Sequence, residues 1–222
     1  MSRPRAPLPS RLLLIADGFA TGRPELEAPE VRARALAVVE AGVRWVLLRD
    51  HAASPATFLE AAAPLADALR TRGATVSVAG RLDAAQALGA GVHAGQRGPD
   101  LASAVGLPLV GFSAHSATQA LVAQRAGADY VTFSPVFQTR THPDAAPAGL
   151  DALRRAVEAV DIPVLALGGL TAPRARLAGA VGASGAAAIA SLLFAYDPAV
   201  TVPRFLRAVG ESPQGLPSAP PA

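Results

Sequence analysis

Cysteine, lysine and asparagine are all absent from this 222-residue chain. Without cysteine there is no disulfide, no thiolate metal site and no cysteine nucleophile, which fits a reducing, cytoplasmic setting. Without lysine, all 20 basic residues are arginine, and the sequence pI stands near 10.4 although the formal net charge is only +3. Aromatic residues make up only 5%, and no basic cluster interleaves with them, so no nucleic-acid partner is expected. No apolar run approaches the roughly 20 residues that cross a bilayer, so no membrane partner is expected. The start, Met1–Ser10, carries proline and arginine and lacks the apolar centre of a secretory signal, and Leu12–Ala16 is too short for one. The abundance of Ala, Gly, Pro and Arg is that of a GC-rich genome.

What is present is apolar material in regular alternation. The chain is 51% hydrophobic, enough for one large core. Short apolar runs predict strands at Leu12–Asp17, Trp45–Arg49, Thr75–Ala79, Gly91–Ala94, Pro108–Ser113, Asp129–Ser134, Pro163–Leu167 and Ser184–Ile189. Helical runs fall between them. Glu30–Glu40 places Val31, Ala35, Val38 and Val39 on one face, Ser54 caps a helix over Pro55–Arg72, and Leu101–Val105 is a weak helix. Eight βα units without a second composition zone predict a single α/β domain, a (β/α)8 TIM barrel over residues 11–210. The alternative is an open doubly wound sheet. Residues 1–10 and 211–222 are rich in proline and small residues and are expected to fray. Barrels of this kind often self-associate, so a homo-oligomer is an open alternative, with no interface named by the sequence.

In such barrels chemistry collects where strands end and βα loops begin. After the seventh strand comes Gly168-Gly169-Leu170-Thr171-Ala172-Pro173, two glycines and a capped helix start. That arrangement suits a phosphate held by backbone N–H groups at a helix N-terminus. His51, His115 and His142 also fall at the mouth, and each has a ring that moves protons near neutral pH or is simply solvated. His115 is the better placed, directly after a strand between Ser113 and Ser116. His93 lies inside a strand, where a satisfied core histidine is expected. No local His-x-His or His-x-x-x-His spacing supports a metal site, and no metal ligand is assigned. Arg49 ends an apolar strand, where a guanidinium needs an anionic partner; that partner is either a ligand phosphate or a carboxylate such as Asp50 or Asp17. The long loop Pro135–Ala148 carries Thr139 and Thr141 as donors and suits a lid.

The ordered set Leu14-Ile15-Ala16-Asp17, Val46-Leu47-Leu48-Arg49-Asp50, Arg81-Leu82-Asp83-Ala84-Ala85, Gly91-Val92-His93-Ala94-Gly95-Gln96, Ser113-Ala114-His115-Ser116, Gly127-Ala128-Asp129-Tyr130, Pro135-Val136-Phe137-Gln138-Thr139-Arg140-Thr141 and Pro163 to Leu170 resembles the family of thiamine phosphate synthases and TenI-type thiazole tautomerases. The resemblance implies a (β/α)8 barrel with thiazole phosphate at its mouth. It places the phosphate on Gly168, Gly169 and the turn Ile189, Ala190, Ser191. Synthases of the family join a pyrimidine diphosphate to thiazole phosphate and use magnesium.

The chain departs from the synthase pattern on the magnesium side. The family's Asn-Asp-Arg reads Ala79-Gly80-Arg81 here, and its Gly-Gln-Glu-Asp reads Gly95-Gln96-Arg97-Gly98. Gln-Leu-Arg-Glu-Lys reads Leu47-Leu48-Arg49-Asp50-His51, and Thr-x-Thr-Lys reads Thr139-Arg140-Thr141-His142. Base composition does not explain the loss of both aspartates. The expectation is therefore a tautomerase-like isomerase that aromatises a carboxythiazole phosphate, with His115 as acid/base, Arg49 on the substrate carboxylate and no cofactor. The alternatives are a synthase recruiting Mg²⁺ through Asp50, Asp100 or Asp144, and a non-catalytic thiazole-phosphate binder.

Overall fold

A computed structural model describes residues 5–96, 98–139 and 146–212. Eight strands, β1 (Leu12–Asp17), β2 (Trp45–Arg49), β3 (Thr75–Ala79), β4 (Gly91–Ala94), β5 (Val110–Ala114), β6 (Tyr130–Phe133), β7 (Val164–Leu167) and β8 (Gly185–Ala188), form a closed barrel in sequence order. Every neighbouring pair is parallel, and β1 closes on β8 through Leu12↔Ala186 and Leu14↔Ala188. The alternative of an open sheet is thereby removed. The helices are α1 (Ala28–Glu40), α2 (Pro55–Thr71), α3 (Leu82–Ala87), α4 (Ala117–Arg125), α5 (Gly149–Glu158), α6 (Ala172–Ala180), α7 (Ala190–Leu193) and α8 (Pro198–Ala208). No helix among the described residues is long and apolar enough to cross a membrane.

The strands read as near-continuous apolar runs because both of their faces are covered. α1 buries Val31, Ala35, Val38 and Val39, the face its spacing predicts. It begins two residues earlier than expected, because Pro29 suits the first turn and the Glu27 N–H donates to Glu30 Oε2 at 3.1 Å. Ser54, Ser116 and Thr171 cap α2, α4 and α6 by accepting from Thr57, Gln119 and Arg174 N–H. Two expectations shift. Leu101–Ala104 is a 3-10 turn, held at its start by Asp100 accepting from the Ala102 N–H at 3.1 Å. β5 starts at Val110 because Pro108 offers no N–H, and it extends to Ala114, whose carbonyl accepts from Ser134 N–H at 3.1 Å.

Within the described residues of the tails, Ala6, Ser10 and Glu211 are hydrogen-bonded. The Ala6 N–H donates to Asp129 Oδ1 at 3.0 Å. Ser10 is buried and its hydroxyl donates to Glu211 Oε2 at 2.8 Å.

Register aligns Ser77 with Gly91, His93 with Gly111, Gly111 with Tyr130, and Ser113 with Thr132. These residues share one face of the sheet and form a polar column. Trp45 Nε1 donates to Ser77 Oγ at 3.1 Å, and the Trp45 ring meets Tyr130 edge-on at 4.8 Å. His93 Nδ1 lies 2.9 Å from the Tyr130 hydroxyl, and its Nε2 lies 2.9 Å from Ser113 Oγ. The glycines make room for these rings. A Cβ on Gly111 would sit 2.2 Å from Tyr130 Cζ, and one on Gly91 2.8 Å from Ser77 Oγ. His93 is thus the satisfied core histidine that its position predicts.

Burial, and then the charge of Arg49, push the His93 pKa down to about 3. The unfolded chain takes up that proton near pH 6.5, roughly its free value. The stability tied to a neutral His93 is therefore complete above that pH and is lost as the pH falls toward about 3, at up to about 1.4 kcal/mol per pH unit. Urea midpoints measured between pH 6.5 and 4.5 should fall less for His93→Gln than for the wild type. Parallel profiles would contradict the buried neutral ring.

Candidate functional site

At the strand ends, two loops are locked together by one carboxylate. Asp50, just after β2, is 4% exposed. It accepts from the Ala20 and Thr21 N–H groups at 3.0 and 2.9 Å, from Thr21 Oγ1 at 2.9 Å, and from Ala52 and Ala53 N–H at 3.2 and 3.1 Å. Arg81 donates to the carbonyls of Asp50 and Ala53 and stacks on Phe58 at 4.6 Å. This part of the rim is spent on holding itself together.

Beside it, Asp17 stands between two guanidiniums. Arg49 Nε donates to Oδ1 at 2.7 Å, and Arg23 Nη1 donates to Oδ2. Burial pushes the Asp17 pKa up, but the hydrogen bond and charge of Arg49, then the charges of Arg23 and His51, outweigh it and hold the carboxyl below its ordinary value. Arg49 thus has its anion within the protein.

A cavity of about 520 Å³ opens at the ends of β7 and β8. Gly168, Gly169, Thr139, Ile189, Ala190 and Ser191, all expected at the site, line it together. Gly168 and Gly169 adopt φ +98° and +61°, the left-handed region. A Cβ on Gly168 would sit 2.7 Å from Pro135 Cα, and one on Gly169 2.2 Å from Gln138 O. The immediate reason for two glycines is therefore the β6–α5 loop lying against the turn. Val136 N–H donates to Leu167 O at 2.9 Å and Phe137 N–H to Gly168 O at 3.2 Å, while Arg174 Nη1 donates to Gly169 O at 2.8 Å. The turn's carbonyls are occupied, whereas the Gly168 and Gly169 N–H groups make no hydrogen bond within the described residues. The first N–H groups of α7, on Ala190 and Ser191, have no carbonyl one turn earlier in that helix.

The other expected residues lie elsewhere. Ser113 is engaged by His93. Arg49, His51, Ser113 and His115 are not among the residues lining the cavity. His51 is exposed. Thr141, His142 and Asp144 lie outside the described residues. His115 is exposed, and its Nδ1 lies 2.7 Å from the Ser134 carbonyl. A carbonyl only accepts, so Nδ1 carries the proton and Nε2 keeps the lone pair in the neutral ring. Ser134 leads directly into Pro135, the residue packed on Gly168, which ties His115 to the cavity wall. The reading from sequence missed Arg23 and Arg174, which both line the cavity. Arg174 carries a readable signal, three residues past the cap Thr171 and so in the first turn of α6. Arg23 carries none, in a loop without periodicity.

Magnesium, which the resemblance implies for synthases, does not fit the described donors. Among the described residues no three His, Asp or Glu side chains converge to hold a metal. Asp50 and Asp17 are committed as above, and Asp100 caps the 3-10 turn. Gly80 has φ +67°, where an aspartate would be strained, and a Cβ on Gly98 would meet Gly95 N at 3.0 Å.

The fold defines the class, a (β/α)8 barrel with a cavity at its mouth. A family model for thiamine monophosphate synthase matches residues 20–192, and the chain belongs to that family. It is 38% identical over 205 residues to a thiamine-phosphate synthase of Chloroflexus aurantiacus, covering 90% of this chain and 92% of that one. It is 40% identical over 185 residues to the thiamine biosynthesis bifunctional protein ThiM/ThiE of Symbiobacterium thermophilum, spanning 79% of this chain and 38% of that protein. A thiamine phosphate pyrophosphorylase structure from Pyrococcus furiosus superposes with a TM-score of 0.77 at 28% identity, covering 90% of this chain and 95% of that one.

Alanine at the glycine turn tests the interlock. Gly169→Ala combines a left-handed φ with a backbone clash and should cost about 2–4 kcal/mol. Gly80→Ala has the same backbone problem but nothing within 4 Å of its Cβ, and should cost about 1 kcal/mol. Equal losses in denaturant titrations would show that the loop yields.

Proposed function

We propose that this chain binds thiazole phosphate in the β7–β8 cavity and acts in thiamine assembly. The observation that supports this is the donor set around the cavity: the Gly168 and Gly169 N–H groups, the start of α7, and the guanidiniums of Arg23 and Arg174. Backbone N–H groups and cations gathered on one concave surface suit a phosphate ester.

The relatives are named thiamine-phosphate synthases, which makes the coupling that the resemblance implies, of thiazole phosphate to a pyrimidine diphosphate with loss of pyrophosphate, the first reading of the reaction. In this chain arginine would have to supply the positive charge facing a departing pyrophosphate, because Asp50, Asp17 and Asp100 are committed to N–H and guanidinium donors and Glu25 is the one carboxylate among the lining residues. A second reading, aromatisation of a carboxythiazole phosphate by proton transfer, is favoured by His115. Its Nε2 is left free by the bond from Nδ1 to Ser134. That reaction releases no pyrophosphate and asks for no metal.

The deciding experiment is a turnover comparison on both substrate sets, with and without EDTA. Release of pyrophosphate from the two-substrate mixture supports coupling. Conversion of the carboxythiazole tautomer alone, slowed about 10²–10⁴-fold by His115→Ala, supports proton transfer. Either activity should survive EDTA. Thiazole phosphate bound in calorimetry with neither turnover would leave a non-catalytic binder, and no binding at all would overturn the proposal.

A further inference from the structure

Arg23 is only half used by the protein. It lies in the loop between β1 and α1, held by a bridge to Leu26 (N–H to carbonyl 2.7 Å) and with its guanidinium 5.8 Å from the centre of the Phe194 ring. Its Nη1 is engaged by Asp17. Its Nε is buried and has no hydrogen-bond partner among the described residues; Glu25 Oε2, 3.8 Å away, is too distant to accept. A buried N–H left unmade is costly, so such a group points to a missing partner. The same side chain lines the cavity that Gly168, Gly169 and Ser191 line. Asp17 is shared by Arg23 and Arg49, and the Glu25 carboxylate, largely exposed, stands beyond hydrogen-bond reach of the Arg23 Nε. Arg81 shows the contrast, since it donates to two carbonyls and is not a lining residue.

We propose that Arg23 is a ligand-positioning residue whose Nε–H donates to the phosphate of a phosphate monoester held at the Gly168–Gly169 turn. The inference rests on the thiazole-phosphate reading for the identity of the ester, not for the role of the arginine. It explains why arginine stands here. One planar fork spans two anions, with Nη1 on Asp17 and Nε on the ligand, and an ammonium group offers no such geometry. Asp17 fixes the fork before the ligand arrives, so little side-chain freedom is lost on binding.

The test is calorimetry on the full chain with thiazole phosphate, its unphosphorylated alcohol and inorganic phosphate. Arg23→Gln should weaken thiazole phosphate about tenfold or more, roughly the loss of one charge-assisted contact, and leave the alcohol unchanged. Arg23→Lys keeps the charge but lacks the Nε donor, and should still bind the phosphate several-fold more weakly. In wild-type protein, the Arg23 Nε–H resonance should shift on phosphate addition, a readout that needs no variant to fold. Unchanged phosphate-to-alcohol discrimination in both variants, or an unmoved resonance at saturating phosphate, would overturn the proposal. If inorganic phosphate binds through Arg23 while thiazole phosphate does not, the role of the arginine stands and the thiazole reading falls. If neither anion binds, both fall.

Discussion

The mouth of this barrel is organised by a close approach of backbone to backbone. The loop after β6 lies so near the turn after β7 that a Cβ on Gly169 would stand 2.2 Å from the Gln138 carbonyl. The contact consumes the turn's carbonyls and leaves its N–H groups unbonded within the described residues. It also fixes the wall to which His115 is attached through Ser134. Cavity, donor set and histidine therefore depend on two residues without side chains.

Charge at the rim is divided between two tasks. Asp50 and Arg81 tie the first three βα loops together and have little left to offer a ligand. Asp17, Arg49 and Arg23 stand beside the cavity with one guanidinium N–H open among the described residues, and on the cavity lining Arg23 and Arg174 face the single carboxylate of Glu25. A rim built in this way favours an anion over a divalent cation. That preference agrees with the phosphate reading and sits awkwardly with the metal-assisted chemistry that the resemblance implies for synthases.

Much of this was legible in the sequence, because strand-length apolar runs and capped helical runs are local signals. The polar face of each strand is less legible. His93 was recognisable as a core residue, yet its bonds to Tyr130 and Ser113 depend on barrel closure and on the room left by Gly111. Arg49 illustrates the limit of site reading. Its need for an anion follows from its place at the end of an apolar strand, but whether Asp17 or a ligand meets the need is decided by a cross-strand register of Asp17 with Arg49. The sequence points to Gly168 and Gly169 as a place for an anion, and the structure adds a tighter cause in the neighbouring loop. Arg23 escaped altogether, since its role arises from a fold-back loop with no periodic pattern.

The sharing of one carboxylate by two arginines also bears on how such a rim can change over generations. Losing Asp17 alone would set two like charges side by side, and losing either arginine alone would shift the balance of the remaining pair. Neutral drift at these three positions is consequently coupled, and lineages that alter one should carry matching changes at the others.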